Sequence, residues 1–98
     1  MPNSQLPKEI LVLYITASLP EPLIVEMIQL IEEFIPTMVS GHRYLLETMV
    51  GNVFWGNRLK PTQRTQAGST MAKMVSDGLF DLNFAATDHG VTKMYQLK

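Results

Sequence analysis

The feature that most restricts what this chain can fold into is a change of hydrophobic period at Asp77-Gly78. Ahead of it, Ala67, Met71, Met74 and Val75 recur at helical spacing. Behind it, Leu79–Phe84 alternates, with Phe80, Leu82 and Phe84 on one face and Asp81 and Asn83 on the other. Val91–Leu97 alternates again, Val91, Lys93, Tyr95 and Leu97 opposing Thr92, Met94 and Gln96. A period near 3.6 fits a helix face and a period of 2 fits a strand face, so the order is helix, stop, β-hairpin. Gly78 supplies the stop, because glycine takes the left-handed C-terminal conformation cheaply. The turn-rich stretch 85–90 joins the two strands.

Upstream, Lys60-Pro61 reads as a turn and Thr62 as the N-cap of a helix from Gln63 to about Ser76. Gly68 lies inside that helix and costs about 1 kcal/mol relative to alanine. It marks either a close approach to a neighbour or a helix that begins nearer Ser69. An earlier helix is predicted from His42 to about Val50, opened by Ser40, with Leu45, Leu46, Met49 and Val50 inward. Gly51 breaks it, and a short helix follows to Leu59, locked onto the core by Phe54 and Trp55.

In the N-terminal part, Pro20 to Ile35 reads as an amphipathic helix. Ser18 is its candidate cap, the prolines suit the first turn, and Pro36 ends it. Leu23, Met27, Leu30, Ile31 and Phe34 form its apolar stripe, widened by Ile24, Ile28 and Ile35. An arc that broad is covered either by the apolar segment 10–15 or by a second subunit. Lys8–Ala17 is apolar nearly throughout, so its periodicity fits a buried strand or a buried helix equally, and only its β-branched and aromatic content leans toward a strand.

The expected fold class is therefore α+β and mainly helical. The 98 residues fit one domain, with an N-terminal apolar segment and amphipathic helix over 1–40 expected to make a dimer, and a helix-turn-helix closed by a hairpin over 41–98. At 46% hydrophobic and 17% charged, the chain has the apolar content of a packed core. Cysteine is absent, which excludes a disulfide scaffold and a cysteine-based zinc site. The start, Met1-Pro2-Asn3-Ser4-Gln5, lacks a basic cluster ahead of an apolar run, so no signal peptide is expected. The apolar run Ile10–Ile15 is too short for a bilayer. A cytoplasmic protein without a membrane partner is the expectation.

Net charge is −1, but it is unevenly spread. Residues 1–40 set Lys8 against Glu9, Glu21, Glu26, Glu32 and Glu33. Residues 41–98 set Arg43, Arg58, Lys60, Arg64, Lys73, Lys93 and Lys98 against Glu47, Asp77, Asp81 and Asp88. An acidic part followed by a basic part points to two faces with different tasks, although a short chain also scatters its charges by chance.

On Gln63–Ser76, the Ser76-Asp77-Gly78-Leu79-Phe80 junction and the strand ending Met94-Tyr95-Gln96-Leu97, the sequence over about 43–98 resembles the winged-helix DNA-binding family. The resemblance implies that the helix before the hairpin enters the major groove of double-stranded DNA, and that the wing tip touches backbone or minor groove.

The residues of that helix fit such a role on their own chemistry. With Ala67, Met71 and Met74 inward, Gln63, Gln66, Thr70 and Lys73 form the outward line, flanked by Arg64, Thr65 and Ser69. Gln and Arg match base edges, and Ser, Thr and Lys match phosphate oxygens. Thr62, Gln63 and Arg64 also sit where free backbone N–H groups meet an anion. Arg58 and Lys60 lie just upstream, and the hairpin adds His89 and Lys93. A solvated helix face has a similar composition. So few cations neutralise few phosphates, and useful affinity then requires a homodimer on two half-sites.

Catalysis is not expected. His42 and His89 are far apart and lack partners at metal spacing, so neither a metal nor another cofactor is implied. Glu32 and Glu33, adjacent on a helix, point about 100° apart and form no dyad. The favoured function is a homodimeric transcriptional repressor or accessory factor of bacterial, phage or plasmid origin. The alternative is a phage-type inhibitor or adaptor that uses the same scaffold to bind a protein.

Overall fold

The structure, a computed structural model, describes residues 8–85 and 93–98. It is an α+β fold, mainly helical, with one small antiparallel sheet. In chain order it contains α1 (Lys8–Leu11), a 3-10 turn (Val12–Tyr14), α2 (Glu21–Phe34), a second 3-10 turn (Ile35–Thr37), β1 (Tyr44–Leu45) and α3 (Leu46–Val50). A π-helical stretch (Phe54–Arg58), α4 (Pro61–Ser76), β2 (Leu82–Ala85) and β3 (Met94–Leu97) follow.

The N-terminal segment is helical where a strand was expected. Leu11 and Tyr14, three apart, are buried, while Val12 and Leu13 between them are 56% and 63% exposed. That is the burial pattern of a helical turn on a flat core, and an extended strand would have alternated. The β-favouring composition yields to packing, since propensity is a weak preference that tertiary contacts override.

α2 forms as its stripe predicts: Leu23, Ile24, Met27, Ile28 and Ile31 are buried, and Leu30, Phe34 and Ile35 pack at the margin of the same core. The wide apolar arc is thus covered within one chain. Ser18 is not its cap. Pro20 occupies that position, its carbonyl accepting from Leu23 and Ile24 N–H. The preceding loop is held by Thr16, whose hydroxyl accepts from Leu19 N–H at 2.8 Å.

The helix expected from His42 begins later, at Leu46, because 44–45 is taken by a strand. Tyr44 pairs with Tyr95 and Leu45 with Met94. The Tyr44 hydroxyl accepts from Val39 N–H, and its ring meets Phe34 edge-on at 5.3 Å. His42 is consequently an exposed loop residue. Gly51, at φ 88°, ends α3 as expected.

The sheet order is β1-β3-β2, with Leu82 opposite Leu97 and Phe84 opposite Tyr95. Tyr95, on the central strand, is 1% exposed and flanked by Tyr44 and Phe84. β2 is shorter than expected, and the loop with His89, together with positions 91 and 92 of the expected second strand, lies outside the described residues.

α4 starts at Pro61, two residues before the expected Gln63, so Lys60 is the cap residue and Thr62 lies inside the first turn. The Gln63 side chain accepts from Lys60 N–H at 2.8 Å and closes this end. The far end closes with Leu79 N–H donating to Met74 C=O and Gly78 N–H to Val75 C=O, the paired bonds of a Schellman motif. Gly78 has φ +80°, and a Cβ there meets nothing within 4 Å. Gly68 sits mid-helix with similarly open space beside it, so neither a close approach nor a late helix start explains it.

The two glycines predict opposite outcomes. Gly78→Ala forces a side chain into the left-handed region and lowers stability by about 1 kcal/mol. Gly68→Ala removes a flexible residue from a helix interior and raises stability by about 1 kcal/mol. Urea unfolding of both variants beside the parent chain checks the signs; equal midpoints contradict the helix boundaries.

Candidate nucleic-acid interface

α4 is oriented by the side chains it buries. Ala67, Thr70, Met71, Met74 and Val75 lie buried on its inner side. Thr70, expected on the outward line, is therefore a core residue at 6% exposure. The positions 67, 70, 71 and 74 follow the i, i+3, i+4, i+7 rule of one helix face. A threonine methyl packs there much as a valine would, and reading threonine only as polar assigned it to the wrong side. Gln63 and Gln66 are half-buried. The exposed stripe is Thr62, Thr65, Ser69, Lys73 and Ser76, about one residue round from the expected one. It holds four of the expected residues, Thr62, Thr65, Ser69 and Lys73, and no carboxylate occurs anywhere on α4.

The cations expected to meet phosphate are largely engaged within the fold. Arg58 grips Glu26 of α2, with Nη2 2.7 Å from Oε1 and Nε 3.0 and 3.2 Å from the two oxygens. Arg64 folds back across the π-helical stretch: Nε donates to Trp55 C=O at 2.9 Å and Nη2 to Gly56 C=O at 3.2 Å. These carbonyls close a wide turn whose ladder is incomplete, so the guanidinium satisfies acceptors that the helix leaves over. Lys73 Nζ stands 3.7 Å from Asp77 Oδ2 and 5.8 Å from the centre of the Tyr14 ring. Lys60 and Lys93 are exposed and carry no ion pair with a described residue.

Asp77 is shared. It accepts from the Tyr14 hydroxyl at 2.7 Å, which ties the N-terminal turn to the end of α4. Burial first, then the hydrogen bond and charge of Asp77, push the Tyr14 phenol up to about 12. Burial alone does the same to Tyr95. Nothing in the sequence pattern announces the Tyr14–Asp77 pair, which are 63 positions apart.

Between α4 and the β1–β3 side of the sheet an open cleft of about 510 Å3 carries Trp55, Arg64, Thr65, Gly68 and Ser69 on one side and Leu45, Glu47, Lys93 and Tyr95 on the other. Chemically the cleft offers the hydroxyls of Thr65 and Ser69, part of a guanidinium fork and one lysine, Lys93, which suits hydrogen bonding to an anion or a base edge. Among the described residues no group of histidines and carboxylates is placed to hold a metal ion, and no helix is long and apolar enough to cross a membrane.

The Tyr14–Asp77 tie has a pH signature. In the unfolded chain the phenol loses its proton near 10, and in the folded chain near about 12. The folded state thus holds a proton that the unfolded state releases, so this contribution is complete below pH 10 and is lost as pH rises through about 12. Tyr14→Phe removes about 1 kcal/mol at neutral pH. The gap between the parent and this variant, from urea melts at stepped pH, narrows over that alkaline window and then reverses; a gap constant to pH 12 contradicts a buried, hydrogen-bonded phenol.

No family model, no curated protein and no solved structure matches this chain.

Proposed function

We propose that this chain is a winged-helix DNA-binding protein, with α4 in the major groove and the β2–β3 hairpin as its wing. The observation that carries this reading is the order helix, short strand, helix, helix, hairpin, closed as a β1-β3-β2 sheet, with a long helix left open on its outer side. The exposed stripe of that helix has hydroxyls and a lysine and no carboxylate to repel phosphate. Lys60 at the start of α4 and Lys93 just ahead of β3 supply exposed charge that forms no ion pair with a described residue.

With so few free cations, one copy neutralises few phosphates, and its affinity falls only shallowly with salt. A homodimer on two half-sites about 34 Å apart restores affinity and supports a transcriptional repressor or accessory role in a bacterial, phage or plasmid setting, inside the cytoplasm. A second reading, a protein-binding inhibitor or adaptor, is favoured by the internal pairing of Arg58 and Lys73 and by the exposure of Val53 and Phe84.

Selection from a random duplex pool at ~100 mM salt, followed by shift assays on the enriched sequence, tests the DNA reading. Ser69→Glu, at an exposed position, leaves the fold intact and weakens binding by about tenfold or more. Lys60→Ala weakens binding alike on all sequences and reduces the salt slope by about 1. No enriched sequence, or a folded Ser69→Glu variant that binds like the parent, defeats this reading.

A further inference from the structure

The cleft beside α4 has the size and chemistry of a small-molecule site. At about 510 Å3 it falls within the range of ligand pockets. Arg64 on α4 and Lys93 just ahead of β3 both bring positive charge to the cleft, where Glu47 is the single carboxylate among the described residues. Arg64 is held in place through the Trp55 and Gly56 carbonyls, and its other N–H groups have no partner among the described residues. A guanidinium already fixed in position binds an anion without the entropy cost of ordering a free side chain. The Trp55 indole and Leu45 add flat apolar surface. Gly68 keeps the space open, because a Cβ there projects into a region with no atom within 4 Å.

We propose that this cleft binds a small organic anion with a flat apolar body, of the class of aromatic carboxylates. The carboxylate meets Arg64 and Lys93, and the ring lies against Trp55. An occupant covers Thr65 and Ser69, so it competes with DNA if α4 reads DNA. That consequence rests on the function proposed above, whereas ligand binding by the free protein does not.

Trp55 is the single tryptophan of the chain, so its emission reports on the cleft directly. Titrating the full chain with benzoate gives a saturable change. Neutral benzamide and inorganic phosphate bind about tenfold or more weakly, because one lacks the charge and the other the apolar body. Lys93→Gln, at an exposed site, weakens benzoate about threefold or more. Gly68→Leu, which suits a helix and fills the cleft, abolishes binding while circular dichroism stays unchanged. The proposal is overturned by the absence of a saturable benzoate response, or by benzamide or phosphate binding as tightly. It is also overturned if the Lys93→Gln and Gly68→Leu variants bind like the parent.

Discussion

The rotation of α4 about its own axis is the constraint on which the rest depends. Five side chains, Ala67, Thr70, Met71, Met74 and Val75, are buried along one side. A close-packed interior leaves no slack for a helix to turn by even one residue without opening voids and exposing methionine. Once those five are inside, the outward residues are no longer a matter of choice. Thr62, Thr65, Ser69 and Lys73 must face out, and Arg64 must reach sideways toward the π-helical stretch. The Schellman closure at Gly78 fixes where the helix stops, and therefore where β2 starts and how the hairpin meets the sheet.

The same packing decides what the charged residues can do. A cation near the start of a helix is open to phosphate only if the fold has no acceptor for it. Here Glu26 of α2 lies within reach of Arg58, and the leftover carbonyls of Trp55 and Gly56 lie within reach of Arg64. Both arginines serve as connectors between elements, and the exposed cations left on and beside α4 are the lysines Lys60, Lys73 and Lys93. This shifts the chemistry of the exposed face from charge toward hydrogen bonding, and it leaves the anchored Arg64 as part of a cleft wall.

Much of this was legible from the sequence, for reasons that residues make plain. The α2 stripe and the Met71–Met74 stripe are long and periodic, so their inward sides were readable, and Gly51 and Gly78 marked true breaks. The two-residue strand β1 was not readable, because it exists only through pairing with Tyr95 and Met94, about fifty positions away. The segment 8–14 is ambiguous in sequence because its apolar composition fits a buried strand as well as a helix, and the core accepts it as a helical turn tied down by Tyr14 and Asp77. At the candidate interface the helix itself and Thr62, Ser69, Lys60, Lys73 and Lys93 came through as exposed. Thr70 did not, and the engagement of Arg58 and Arg64 was invisible, since no local pattern encodes a partner distant in sequence or a backbone carbonyl as a side-chain acceptor.

The absence of cysteine from the chain allows a direct measurement of the α4 rotation. Single substitutions Thr65→Cys, Ser69→Cys and Thr70→Cys, each labelled by a thiol reagent under native conditions, report which side chains meet solvent. The packing of α4 requires fast labelling at 65 and 69, and labelling at 70 only at the rate of local or global unfolding. Labelling at 70 as fast as at 69 would mean the helix presents a different face, and the interface and cleft drawn from it would both be wrong.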